Sequence, residues 1–74
     1  MNDAIAQAIK EQIPDAEVEA VVEGNRAQIT VVSREFEGQR RVGREQAVNR
    51  CIKHLISDGS LHAVSIRALT PDER

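Results

Sequence analysis

The sequence contains almost no aromatic residues, since Phe36 is the only phenylalanine and tryptophan and tyrosine are absent. This shortage argues against the exposed aromatic platforms on which binders of single-stranded nucleic acid stack bases. The core must therefore be built from isoleucine, valine, leucine and alanine. A chain of 74 residues has room for one small core, so we expect a single domain of modest stability over residues 1–74.

Cysteine is equally scarce, because Cys51 is the only one in the chain. An intrachain disulfide cannot form, and folding therefore needs no oxidising compartment. The sequence also shows no signal-peptide pattern and no apolar run long enough to cross a membrane. We expect a cytoplasmic protein that does not associate with membranes and that is a monomer on its own.

The net charge of −2 is divided unevenly along the chain. Residues 3–23 hold six acidic residues against one lysine, whereas residues 39–53 hold five basic residues against one glutamate. This division predicts two surfaces of opposite sign. The basic side chains form either a solvated helix face or a surface that contacts a partner or the phosphates of a nucleic acid. They are Arg40, Arg41, Arg44, Arg50 and Lys53.

The first third of the chain predicts a helix followed by a β-hairpin. Isoleucines recur every four residues until Pro14, which predicts a helix over residues 3–13. Apolar residues then alternate with polar ones over residues 16–23 and again over residues 27–32. Gly and Asn at positions 24 and 25 favour a tight turn, so the two strands should pair antiparallel.

Residues 33–43 lack a regular period and predict an irregular connection, with Phe36 and Val42 anchoring it inward. A longer helix should begin at Arg44 and stop at Gly59, because the intervening apolar residues follow helical spacing. This helix should supply most of the helical part of the core. Its apolar residues are Ala47, Val48, Cys51, Ile52, Leu55 and Ile56.

The last part of the chain predicts a strand and the start of another helix. Residues 61–69 are rich in aliphatic and β-branched residues and predict a largely buried strand that His62 opens. Thr70, Pro71 and Glu73 then have the spacing of a capping box. One helical turn is not stable alone, so we expect this end to be frayed. The element order αββαβ indicates an α+β sandwich with helices on one face of a three-stranded sheet.

Two segments, FEGQRRVGREQAVNRCIKHL and LHAVSIRALTPDE, resemble the BolA family and in particular its short IbaG-like branch. The resemblance spans about residues 18–73. It implies an αββαβ fold similar to the class II KH domain, partnership with a monothiol glutaredoxin, and a role in iron–sulfur cluster or iron homeostasis. The residues that carry it are Phe36, Gly38, Arg41, Val42, Val48, Asn49, His62, Thr70 and Pro71.

The resemblance also implies a metal ligand. The histidine that opens the last strand of these proteins matches His62, which makes it the prospective ligand of a 2Fe–2S cluster shared with the glutaredoxin; no cofactor is needed for folding. The family's second ligand, a His or Cys between the first two strands, has no counterpart in the loop EGNRA, where Arg26 stands near that position. The family usually continues after Thr70 and Pro71 with a final helix, whereas this sequence ends at Arg74.

Other interpretations of these residues are open. Without the resemblance, His62 is better explained as a structural histidine at a strand edge. His54 should be exposed on the main helix, and Cys51 should behave as a small apolar core residue. One cysteine and two distant histidines do not give a zinc-site spacing.

The main alternative function is a KH-like regulator that binds DNA or RNA through the five basic residues. A KH module clamps the backbone with a Gly-x-x-Gly loop, however, and here four residues separate Gly38 from Gly43. A third hypothesis is a stress protein that acts without a known partner. Catalysis has no candidate residues, so we do not expect an enzyme. For a glutaredoxin partner, the contact surface should combine the strand at His62 with residues 39–50.

Overall fold

The computed structural model describes residues 2–74 and shows the α+β architecture that the element order predicts. Its helices are α1 (Asn2–Gln12) and α2 (Arg41–Ser57). Its strands are β1 (Glu17–Glu23), β2 (Arg26–Val32) and β3 (Ala63–Leu69). Two short 3-10 turns, Arg34–Phe36 and Pro71–Glu73, follow β2 and β3. Within residues 2–74, neither α-helix has the length and apolar character needed to cross a bilayer.

The three strands form one sheet in the order β1-β2-β3. β1 and β2 are antiparallel, which confirms the predicted hairpin, and Gly24 at the turn has a φ of 59° that suits glycine. β2 and β3 are parallel. A parallel pair requires a crossover connection, and α2 provides it. β2 is therefore the central strand, and β1 and β3 are the two edges.

The core lies between the sheet and the two helices, which cover the same face. The apolar residues of β2 alternate inward as predicted, so that Ala27, Ile29 and Val31 are buried. The helices contribute Ile5 and Ile9 from α1 and four residues from α2. Those of α2 are Val48, Cys51, Ile52 and Leu55. Phe36 is 1% exposed and closes the core next to the start of α2.

The prediction that Val42 anchors the connection inward is wrong, because its side chain is 64% exposed. Helix α2 begins at Arg41, three residues earlier than predicted, so Val42 belongs to its first turn. There it lies about 120° around the helix axis from Val48 and faces solvent. Ile56 is also 39% exposed, because it lies about 100° from Leu55 at the margin of the buried stripe.

The last strand is less buried than predicted. β3 is an edge strand with helices on only one side, so its residues alternate between exposed and half-buried.

The segment after β3 is better ordered than predicted. Glu73 accepts a hydrogen bond from the N–H of Thr70 at 2.9 Å and from Arg44 at 2.6 Å, so the turn is held to α2 instead of being frayed.

Candidate functional site

His62 is exposed at the corner where the β1–β2 turn meets the start of β3. Its backbone N–H donates to the carbonyl of Asn25 at 2.8 Å, and the N–H of Ala63 donates to the same carbonyl at 3.3 Å. These two hydrogen bonds fix the backbone of His62 against the hairpin turn. The imidazole is therefore presented to solvent from a backbone that is held in place.

The loop between β1 and β2, where the resemblance led us to look for a second ligand, lies at this same corner. Gly24 and Asn25 form the two-residue turn, and Arg26, the first residue of β2, is opposite Ala63 in the parallel register. Arg26 is exposed. The corner thus joins one imidazole with one guanidinium, and a guanidinium is a permanent cation that does not ligate iron.

The other nitrogen and sulfur donors of the described chain do not complete a metal site. Cys51 is 7% exposed, its Sγ donates to the carbonyl of Ala47 at 3.3 Å, and burial raises the pKa of the thiol. His54 is exposed on α2, as predicted. Among residues 2–74, no group of three or more His, Cys, Asp or Glu side chains could hold a metal ion. At this corner, His62 is the one imidazole among the described residues.

The structure separates the five predicted basic residues into two groups. The first surrounds the start of α2, where Arg40 is exposed and the Nε of Arg41 contacts Glu45 at 2.8 Å. Arg44 is different, because its side chain is only 13% exposed. It donates to the carbonyls of Gln39 and Ala68 as well as to Glu73. Arg44 is thus a structural residue and not an available cation.

The second basic group, Arg50 and Lys53, lies on the outer face of α2. These two residues line a shallow surface groove with Ile56. Arg50 is about 180° and Lys53 about 120° around the helix axis from Arg41, so the two groups do not form one continuous patch. The predicted basic surface therefore consists of the exposed Arg40 and Arg41 at the helix start and a separate pair on its outer side.

His62 and the start of α2 lie at opposite ends of β3. Leu61, next to His62, donates its N–H to Leu55 near the end of α2, whereas Arg44 in the second turn of α2 contacts Ala68 near the end of β3. Six residues of strand span about 20 Å. The two halves of the predicted contact surface are thus separated by the length of β3.

Two side-chain contacts that the sequence analysis did not predict stabilise the segments next to the ends of the strands. The hydroxyl of Ser33 donates to Asp15 at 2.6 Å and accepts from the N–H of Glu35 at 3.0 Å. The hydrogen bonds from Ser33 and from the backbone N–H of Arg34 lower the pKa of Asp15. The Arg44–Glu73 pair is the second contact, and Arg44 lowers the pKa of Glu73 to about 2. Only the Thr70–Glu73 capping spacing gave a local signal of either contact.

The comparisons with known proteins agree with this architecture. A family model described as "BolA-like protein" matches residues 14–73. The acid stress protein IbaG of Escherichia coli is 33% identical over 72 residues, covering 97% of this chain and 86% of IbaG. A protein encoded between rpoN and murA in Acinetobacter guillouiae is 36% identical over 72 residues, covering 97% of this chain and 87% of that protein.

Solved structures give the same result at the level of the fold. The BolA domain of SufE1 from Arabidopsis thaliana superimposes with a TM-score of 0.87 at 23% identity, covering 99% of this chain and 94% of that chain. The family match, the similarity to IbaG and the shared αββαβ architecture point to one conclusion. The chain belongs to the BolA family, in a branch similar to IbaG.

Proposed function

We propose that this protein is a BolA-like adaptor that pairs with a monothiol glutaredoxin in iron–sulfur cluster or iron homeostasis. In this proposal His62 is the ligand that the chain contributes to a shared 2Fe–2S cluster. The single observation that supports it is the geometry of the corner. An exposed imidazole is held there by a fixed backbone, and among residues 2–74 no group of three or more His, Cys, Asp or Glu side chains could hold a metal ion.

The donor set fits a shared cluster better than a resident one. A 2Fe–2S cluster needs four protein or cofactor ligands, and among the described residues of this corner His62 is the only imidazole or thiol side chain. The remaining ligands must then come from the partner and from what the partner holds. An imidazole in place of a thiolate raises the reduction potential of such a cluster, and it leaves readily when protonated. The chain's own contribution is to hold one ring nitrogen at an exposed position.

The experiment that tests this function is anaerobic reconstitution with a monothiol glutaredoxin, followed by visible absorption and circular dichroism. Three forms of this chain are compared: wild type, His62→Ala and His54→Ala. His54 is the only other histidine and is exposed on α2, so its substitution controls for the loss of an imidazole. We expect a heterocomplex whose cluster spectrum changes in His62→Ala and is unchanged in His54→Ala.

If the complex forms and its spectrum is the same in all three forms, His62 is not a cluster ligand. The protein would then be an adaptor that binds the glutaredoxin without ligating the cluster. If no heterocomplex forms with any of them, the glutaredoxin partnership is wrong. Both variants should fold like the wild type, since both side chains are exposed. Far-ultraviolet circular dichroism verifies this before the spectra are compared.

Nucleic-acid binding is the second candidate, and the exposure of Arg40, Arg50 and Lys53 is the observation in its favour. It is weakened because Arg41 and Arg44 are paired with Glu45 and Glu73, and because the two basic groups are separate. Binding to DNA or RNA should fall steeply with added salt and with Arg40→Ala, and should be indifferent to His62→Ala. Cluster sharing should show the opposite dependence.

A further inference from the structure

The outer edge of β3 is a row of backbone groups that no other strand of the described chain occupies. In a strand, the N–H and C=O of one residue point to the same edge, and successive residues alternate between the two edges. Ala63 and Leu69 bond toward the β2 side, through Asn25 and Ser33 respectively. Val64, Ile66 and Ala68 therefore direct their backbone groups to the outer edge.

One position on this edge is already capped. The carbonyl of Ala68 accepts a hydrogen bond from Arg44 at 3.2 Å, which confirms that it points outward. Within residues 2–74, Val64 and Ile66 have no partner strand on that side, because the sheet ends at β3. Their N–H and C=O groups are a template for another strand.

The two edges of the sheet are not equivalent. β1 carries exposed Glu17, Glu19 and Glu23, and charges of this kind are a usual protection of an edge strand. The exposed positions of β3 hold Ala63 and Ser65 before Arg67 is reached. β3 is therefore the edge with less charge protection, and its charge is of the opposite sign.

A groove runs along the outer edge of β3. It has a volume of about 640 Å³ and lies between β3, from Ser65 to Leu69, and the first turns of α2. Arg41, Arg44 and Arg67 line it, and the two glutamates in its wall are both paired with arginines. The net charge of this lining is positive.

We infer that the outer edge of β3 binds an extended, acidic segment of a partner protein by β-strand addition. The unpaired groups of Val64 and Ile66 provide the backbone hydrogen bonds. Arg67, the groove arginine that forms no ion pair within residues 2–74, selects for carboxylates together with the net positive lining. The docked segment runs along β3 between the start of α2 and the corner at His62. This inference does not depend on which protein the partner is or on whether a cluster is shared.

The probe is a capped seven-residue peptide of alternating valine and threonine with an aspartate at each end. It is titrated into ¹⁵N-labelled protein, and amide shifts and hydrogen exchange are recorded. We expect saturable shifts along β3 and slowed exchange at the N–H groups of Val64 and Ile66. A twin peptide with lysines at its ends should bind about fivefold more weakly, because favourable charge pairs become repulsive.

Substitutions at one edge position separate backbone pairing from side-chain contact. Val64→Pro removes an outward N–H, which edge strands tolerate, while Val64→Ala shortens the side chain and keeps the N–H. Binding of the aspartate peptide should be lost in the first variant and retained in the second. An ester in place of the Ile66 amide, introduced by chemical synthesis of the 74-residue chain, removes a donor with its side chain intact and serves if Val64→Pro does not fold.

Three results would overturn the inference. They are the absence of saturable shifts with the aspartate peptide, shifts confined to β1, and equal binding of the two peptides. Loss of the glutaredoxin complex, by contrast, bears only on the proposed function, because this experiment contains no glutaredoxin.

Discussion

At the scale of single residues, two side chains with the same predicted role differ in how deeply they are buried. Phe36 and Val42 are both apolar residues in the segment between β2 and α2, and both were predicted to anchor it. Phe36 is 1% exposed and Val42 is 64% exposed. The difference arises from the start of α2, which decides the direction in which Val42 points. Helix boundaries depend on long-range contacts such as that of Arg44 with Ala68, and local patterns do not contain these.

These two residues should differ sharply in their effect on stability. Phe36→Ala removes the largest buried side chain and should lower the free energy of unfolding by about 3–5 kcal/mol. Val42→Ala removes exposed surface and should change it by less than about 0.5 kcal/mol. Urea denaturation at pH 7 measures both values. Similar losses in the two variants would show that Val42 is packed.

Cys51 gives a second contrast at this scale, because its position on the apolar stripe predicted its burial correctly. A buried thiol of raised pKa should react slowly with an aromatic disulfide reagent. We expect native labelling at below about 1% of the rate measured in urea, since the reaction must wait for opening of the structure. The exposed-thiol control is Cys51→Ala combined with Ser57→Cys, at an exposed position of the same helix. Rapid labelling of native Cys51 would contradict the packing of α2.

At the scale of elements, the turn after β3 is the part whose behaviour depends most on pH. The folded-state pKa of Glu73 is about 2, below its ordinary value of 4.5, because of its hydrogen bonds from Arg44. A depressed pKa means that Glu73 stabilises the fold above about pH 4.5. This contribution is lost as the pH falls toward 2, where the carboxylate becomes protonated in the folded state too.

Glu73→Gln should therefore lower stability at pH 7 and have little effect near pH 2. Urea midpoints measured from pH 7 to pH 2 should fall less steeply in this variant than in the wild type between pH 4.5 and 2. Asp72→Asn removes the neighbouring carboxylate, which lies outside the hydrogen bonds to Arg44, and should retain the wild-type slope. Parallel pH curves for wild type and Glu73→Gln would show that the pair does not form in solution.

The elements themselves were largely predictable, whereas their partners were not. Alternation predicted the inner faces of β1 and β2, and the turn at Gly24 predicted their pairing. No local sequence pattern predicts the parallel pairing of β3 with β2, because that pairing results from the crossover through α2. The expectation that β3 is largely buried failed for this reason. An apolar alternation cannot distinguish an edge strand from a central one.

At the scale of the whole molecule, the fold presents surfaces of different character on its two edges. Glu17, Glu19 and Glu23 are exposed on β1, as expected from their alternation with apolar residues. The basic residues were predicted as one surface but lie in two groups, because about 120–180° of helix rotation separates Arg41 and Arg44 from Arg50 and Lys53. The sequence thus revealed the charge division, while the geometry decided which charges can act together.

The surroundings of His62, the candidate ligand, also could not be predicted from the sequence. His62 was identified through resemblance, and its backbone contact with Asn25 could not be read from sequence because the two residues are 37 positions apart. That contact places His62 beside the turn between β1 and β2. The proposed contribution of one ligand to a shared cluster therefore depends on how the chain folds at this corner.

The most direct test of the central claim is pulsed electron paramagnetic resonance of the reduced glutaredoxin complex, with ¹⁵N-histidine incorporated only in this chain. The proposal predicts a strong nitrogen coupling to the cluster that carries the ¹⁵N signature. The coupling should disappear in His62→Ala and persist in His54→Ala. A reduced cluster without nitrogen coupling from this chain would contradict the role of His62 as its ligand.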